Sequence, residues 1–155
     1  MALRTESRIT IASSAHEVWA YICDVGRWPE WAPGVLECWV RGGAPLEPGA
    51  RVDQRAKGIL GWTRERSQGV TAIDEPRSLA FAGPMGTSAA RWGMEFEPMG
   101  DARSEAMMWI EVDLGGVMRA LPGRVVQSRI QRVSDREMVG IKAAVESPRP
   151  GGSES

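Results

Sequence analysis

The stretch from Trp62 to Val70 carries the residues best placed for chemistry. Side chains alternate along a strand, so one face here would carry every second residue: Trp62, Arg64, Arg66, Gln68 and Val70. If this face looks inward, it lines a cavity with an aromatic plane, guanidinium groups and an amide. A guanidinium is always charged and can hold a carbonyl oxygen or stabilise the oxyanion of an enolate. The alternative is an exposed face on which Arg66 pairs with Glu65 or Asp53.

Apolar residues on two later stretches could complete such a cavity. Trp92 alternates with Met94 and Phe96, so these side chains are predicted to point inward, as core or as cavity wall. Met94, together with the Met107-Met108 pair, suits an adaptable apolar wall. Met108 and the apolar residues that alternate with it would leave Trp109 on the outer face unless a bulge intervenes.

Composition indicates one small domain and excludes several classes of function. The chain has 155 residues, which is a common size for a single domain, and a net charge of −1. Its pI of about 5.9 argues against nucleic acid or anionic lipid as a partner. No apolar run reaches the roughly 20 residues of a membrane span. A metal is not expected, because His16 is the sole histidine and is predicted to lie on the surface. Cys23 and Cys38 imply no disulfide framework, which favours a reduced, cytoplasmic location.

A capped helix followed by a proline-containing turn is predicted near the N-terminus. Ser14 and Glu17 form a capping box, and apolar residues then recur at helical spacing. Pro29 and Pro33 end the helical segment around the sequence Trp-Pro-Glu-Trp. Seven tryptophans against two phenylalanines and one tyrosine are unusual, because a buried indole needs a partner for its N–H.

Strands and a long helix account for most of the remaining chain. Alternation and turn residues predict seven strands, at 5–12, 35–41, 51–59, 62–73, 78–82, 87–97 and 102–114. On the third strand the odd-numbered residues from Arg51 to Lys57 would face solvent. A helix opens at Pro122-Gly123, with an apolar face formed by Val126, Ile130, Val133, Ile141 and Val145. Its charged residues are assigned to a solvated face: Arg129, Arg132, Asp135, Arg136 and Glu137. Residues 1–147 are predicted to form one domain, and residues 148–155 a disordered tail.

In this order the elements resemble the START/Bet v 1-like (SRPBCC) superfamily. Besides the Ser14–Pro33 segment, the resemblance rests on four strings: Gly49-Ala-Arg-Val52, Val70-Thr-Ala-Ile-Asp-Glu-Pro-Arg77, Phe96-Glu-Pro-Met-Gly-Asp101 and Ile141-Lys-Ala-Ala-Val-Glu146. It implies an α+β helix-grip fold. In that fold a seven-stranded curved antiparallel sheet surrounds a long C-terminal helix, and two short helices follow the first strand.

Within the superfamily the chain is similar to the polyketide cyclase/dehydrase group, including aromatase/cyclases. The resemblance implies a catalytic role for Arg66, which keeps its four-residue spacing from Trp62. Arg64 stands where the group carries a serine. The substrate-binding residues that the resemblance implies are Trp28, Trp62, Trp92, Trp109 and Gln131, the last at a position where the group presents an asparagine. Arg64, as a candidate anchor for carbonyl groups, and Met94, as part of an apolar wall, are added to the substrate-binding set from their own side chains.

Two hypotheses about function follow from the resemblance. The first is an enzyme, a polyketide cyclase, aromatase or dehydrase that uses no cofactor and receives substrate from an acyl carrier protein. Aldol cyclisation needs a stabilised enolate and a surface that fixes the bend of the chain, which an arginine and tryptophan faces would supply. The second is a non-catalytic protein that binds, transports or sequesters a lipid or a toxic natural product. Either would be a monomer or a homodimer.

Overall fold

Seven antiparallel strands form a single sheet in the described part of the computed structural model, which covers residues 2–57, 61–85 and 88–147. The strands are β1 (Ala2–Ile11), β2 (Val35–Val40), β3 (Arg51–Lys57), β4 (Thr63–Asp74), β5 (Ser78–Met85), β6 (Ser88–Pro98) and β7 (Ser104–Asp113). Their order is β1-β7-β6-β5-β4-β3-β2, so β1 and β2 are the edges. The predicted turn at residue 60, the start of a strand at residue 87 and the tail at residues 148–155 lie outside the described residues.

Two short helical elements follow β1, as predicted. Helix α1 (Ala15–Cys23) begins at Ser14, whose Oγ accepts a hydrogen bond from the Glu17 N–H at 3.2 Å. The Ser14 hydroxyl in turn donates to the Glu17 carboxylate, so the two residues satisfy each other. A 3₁₀ helix (Val25–Glu30) contains Pro29 and ends before Trp31. The 3₁₀ helix packs against β2, and its Trp28 ring contacts Phe81 on β5 and Trp92 on β6.

Helix α2 (Gly123–Glu146) lies along edge strand β1. Its side chains donate to β1 carbonyl groups: Gln127 to Arg4 at 3.1 Å, Gln131 to Glu6 at 2.8 Å and Lys142 to Thr10 at 3.0 Å. These bonds occupy backbone acceptors that an edge strand would otherwise present to another chain. The curved seven-stranded sheet and the long C-terminal helix packed on it confirm the predicted α+β helix-grip fold.

Alternation along the strands separates core from surface as predicted. On β3, Val52, Gln54 and Ala56 are buried, whereas Arg51 and Lys57 are exposed. The main core contains residues of every strand and of both helices, and a smaller cluster packs Val126 of α2 against the β1–β7 end of the sheet. None of the helices in the described residues is long and apolar enough to cross a membrane.

Candidate functional site

A cavity of about 200 Å³ lies between the inner face of the sheet, the 3₁₀ helix and α2. Its apolar lining consists of Trp28, Trp31, Ala32, Val35, Gly83, Pro84, Ala90, Trp92, Met108, Ile110 and Val133. Its polar lining is Gln54, Arg66, Gln68 and Glu137. An apolar chamber with a few polar groups is the usual form of a small-molecule site.

Aromatic rings form one wall of this cavity. Trp28 is buried, and its Nε1 donates to the Ile22 carbonyl at 2.8 Å, which satisfies the indole. Its ring centroid lies 5.4 Å from Phe81, 5.5 Å from Trp92 and 5.6 Å from Trp31. Phe81 and Trp92 stack at 4.5 Å. Because these rings brace one another, the wall presents a rigid aromatic surface.

Two glutamine side chains of the lining, Gln54 on β3 and Gln68 on β4, each accept a hydrogen bond from another lining residue. The Trp92 Nε1 donates to Gln68 Oε1, and Arg66 Nη2 donates to the buried Gln54 Oε1 at 3.0 Å. Arg66 lines the cavity but is an exposed residue overall, and the protein atoms around its guanidinium lower its pKa, chiefly by desolvation. An arginine retains its charge at physiological pH, so the cavity holds a positioned cation.

Glu137 supplies a carboxyl group from α2. Burial among apolar residues raises its pKa to about 7, and the nearby positive charge of Arg66 offsets part of that rise. The sequence assignment of Glu137 to a solvated face was wrong, since it is half-buried and lines the cavity. The signal was present, because Glu137 lies four residues after Val133 and four before Ile141, both assigned to the apolar face.

The cysteines offer no nucleophile to this cavity. Cys38 faces Gln54 across the β2–β3 pair, and burial raises the pKa of its thiol to about 12. Burial likewise raises the pKa of Cys23 to about 11. Both are free thiols that stay protonated near neutral pH. The described residues contain no group of three or more His, Cys, Asp or Glu that could hold a metal ion.

The inward face of β4 ends sooner than the sequence suggested. Gln68 and Arg66 line the cavity, whereas Arg64 and Trp62 do not. Arg66 and Arg64 are both exposed, and Trp62 is 73 % exposed. Alternation correctly assigned these residues to one face. Alternation could not show how far along β4 the 3₁₀ helix and α2 cover this face. The structure therefore corrects the prediction that Trp62 and Arg64 form cavity walls.

Trp109 and Met94 also lie outside the cavity lining. Trp109 is on the outer face of the sheet, where the Arg4 guanidinium lies 5.3 Å from its ring centroid. Its ring covers Gly93 so closely that a Cβ added there would lie 2.7 Å from it. No bulge rotates Trp109 inward, because the β6–β7 register is continuous. Met94 points inward as predicted but is completely buried in the core.

Gln131 faces the β1 edge, and its amide donates to Glu6 and to Asp135. Gln131 therefore does not line the cavity, contrary to the position that its predicted substrate-binding role requires. We expect Gln131→Ala to destabilise the protein by about 1 kcal/mol, since it removes a hydrogen bond to the β1 backbone. Urea denaturation measures this effect. Ser128→Ala, on an exposed part of α2, is the control and should leave stability unchanged. Equal stability of the two variants would contradict the assigned role.

A seven-stranded antiparallel sheet packed around a long helix, with an apolar cavity between them, is the architecture of a class of ligand-binding domains. The sequence identifies the family within this class. The profile of the family described as "Polyketide cyclase / dehydrase and lipid transport" matches residues 2–146. The chain belongs to this family, as its resemblance to the SRPBCC superfamily predicted. No match was found among curated proteins.

Solved structures share the fold at low sequence identity. The Zhui aromatase/cyclase from Streptomyces sp. R1128 has a TM-score of 0.76 at 13 % identity, over 98 % of this chain and 99 % of that one. A START superfamily protein from Mycobacterium smegmatis has a TM-score of 0.75 at 16 % identity, over 92 % and 97 %. The di-domain ARO/CYC BexL from the BE-7585A biosynthetic pathway has a TM-score of 0.74 at 17 % identity, over 93 % of this chain and 46 % of BexL. These likenesses establish the fold.

Proposed function

We propose that this protein binds a compact, carbonyl-bearing aromatic or polyketide-like molecule and catalyses its cyclisation or dehydration without a cofactor. The observation that carries the proposal is the Arg66 guanidinium, held by Gln54 in a cavity whose facing wall is aromatic. A hydrogen-bonded cation at the wall of a largely apolar cavity is suited to stabilising the oxyanion of an enolate. The tryptophan faces would hold a flat, conjugated ring.

Cavity size favours a compact ligand. A volume of about 200 Å³ is below the roughly 300–1,000 Å³ of sites for drug-sized molecules. It suits a fused ring or a tightly folded chain better than an extended acyl chain. Val133, which lines the cavity and is 48 % exposed, marks a side on which a larger molecule could reach solvent.

An unpaired indole supports a ligand that carries oxygen. Trp31 lines the cavity and is buried, and its Nε1 finds no hydrogen-bond partner among the described residues. A buried donor without an acceptor costs about 1–3 kcal/mol. A carbonyl or hydroxyl oxygen of the ligand could accept from this group after a small adjustment of the ring.

Arg66→Ala is expected to lower the rate of cyclisation by about 10²- to 10³-fold, the effect of losing one oxyanion donor. The assay incubates the protein with a reactive linear poly-β-keto thioester mimic and follows the products by chromatography. Arg64→Ala is the matched control, since this arginine is exposed on the same face of β4, as Arg66 is, but does not line the cavity. The Arg64→Ala variant should convert the thioester mimic at the wild-type rate.

The second candidate function is non-catalytic binding, transport or sequestration of an apolar molecule, which the same aromatic wall favours. It predicts that aromatic ligands quench the tryptophan emission while the wild-type protein leaves the product distribution unchanged. That pair of results would overturn the cyclase proposal. Delivery by an acyl carrier protein, a cytoplasmic location and a monomeric or homodimeric state stay predictions.

A further inference from the structure

We propose that Glu137 is the proton-transferring residue of this cavity, acting on a carbon next to a carbonyl group that Arg66 holds. The inference rests on the proposed function. Its geometric basis is that Glu137 and Arg66 reach one small chamber from different elements, α2 and β4. A base and an oxyanion donor must both contact one substrate, and these two residues are placed to do so.

The Glu137 carboxylate is free to exchange a proton. It makes no hydrogen bond and no ion pair within 4 Å to any residue in the described ranges. Other carboxylates are engaged: Asp53 pairs with Arg41 at 2.9 Å, and Glu146 pairs with Lys142 at 2.6 Å. Such partners stabilise the ionised form and lower basicity. Glu137 instead lies in an apolar environment that resists its ionisation.

The surroundings of Glu137 set the pH at which it works. Arg66 is the charged residue that faces it across the cavity, from β4. The other lining residues are uncharged on every element, for example Trp28 in the 3₁₀ helix and Trp31 directly after it, Gln54 on β3, Trp92 on β6 and Ile110 on β7. With a pKa of about 7, Glu137 is present near neutrality as both acid and base.

The proposed reaction balances without an oxidant or a reductant. The Glu137 carboxylate removes a proton from the carbon next to a carbonyl, and the electron pair of the C–H bond forms an enolate whose oxygen Arg66 stabilises. The enolate carbon attacks a second carbonyl carbon of the same molecule and forms a C–C bond. The resulting alkoxide takes the proton back from Glu137. Water is then lost: the Glu137 carboxylate removes the second proton from the same carbon, the electron pair of that C–H bond forms a C=C bond, and the C–O bond breaks as the hydroxyl group takes the proton of Glu137 and leaves as water.

Proton exchange isolates the first step. The probe is 1-tetralone, a two-ring ketone with two exchangeable hydrogens next to its carbonyl, incubated with the full chain in deuterated buffer. Proton NMR follows the loss of the C2 signal, and quenching of tryptophan emission measures binding separately. We expect the wild-type protein to accelerate exchange, with a pH profile that rises through about 7. Glu137→Gln should lose about 10²-fold or more of this acceleration and still bind the probe.

The control variants separate catalysis from structure. Glu137→Asp should retain part of the acceleration, and Arg136→Gln, an exposed neighbour on α2, should retain all of it. Wild-type acceleration in Glu137→Gln would overturn the inference, as would probe binding with exchange no faster than in buffer. Absence of both quenching and exchange would overturn the proposed function itself, and the inference with it.

Discussion

Replacement of Trp28 by alanine is expected to lower the free energy of unfolding by about 3–5 kcal/mol. The side chain is 1 % exposed and touches Trp31, Phe81 and Trp92, so its removal leaves a large void among rings. It also leaves the Ile22 carbonyl without the indole donor. Urea denaturation followed by far-ultraviolet circular dichroism measures the loss.

Trp62→Ala is the matched control, since the same residue type is removed from a site that is 73 % exposed. Its effect should stay within about 0.5 kcal/mol. Trp28→Phe should fall between the two, because it retains most of the ring packing and loses the N–H. If Trp28→Ala and Trp62→Ala were equally stable, the aromatic wall could not be the rigid surface described above.

The second large effect concerns Glu137 and pH. Glu137→Gln is expected to stabilise the protein relative to wild type by about 2–3 kcal/mol above pH 7. In the folded state the carboxyl holds its proton up to about pH 7, whereas its ordinary pKa is 4.5. The contribution of this group to stability is therefore complete below about pH 4.5. It is lost as pH rises through 7, because the folded protein must then carry a desolvated charge. Glutamine has no such charge to acquire.

The measurement is the difference in unfolding free energy between Glu137→Gln and wild type at several pH values. That difference should grow in favour of the variant between about pH 4.5 and 8, since the other carboxyl groups are common to both proteins. Arg66→Gln should show the opposite sign above pH 7, because it removes the positive charge that offsets ionisation of Glu137. A difference that does not change with pH would show that Glu137 ionises as it does in water.

The pH dependence of stability and the proposed chemistry both depend on Glu137. A carboxyl group whose ionisation destabilises the folded protein lies in the cavity that Arg66 also lines. Natural proteins commonly tolerate such groups where activity needs them. The loss of stability from ionised Glu137 and its capacity to transfer a proton have the same physical cause, the apolar surroundings.

Much of the fold could be predicted from local patterns. Ser14 and Glu17 marked the helix start because capping depends on residues three positions apart. Alternation identified the inner faces of β3, β6 and β7. It also placed Trp109 on the outer face, whereas the family resemblance implied a position in the cavity. Arg66, Trp28 and Trp92 were named from the sequence and line the cavity. Each of these predictions depended only on the spacing of residues within a single helix or strand.

The cavity boundary could not be predicted in this way. Trp62 and Arg64 share a face with Arg66, yet whether a side chain on that face is covered depends on where the 3₁₀ helix and α2 lie over β4. Gln131 and Glu137 are six residues apart on one helix, but one faces the β1 edge and the other the cavity. The sequence by itself determined the order of elements, their inward faces and the family, since these depend on local spacing. Only the tertiary structure decided which inward residues meet in one chamber, because contacts between distant elements determine burial and, through burial, the charge state of Glu137.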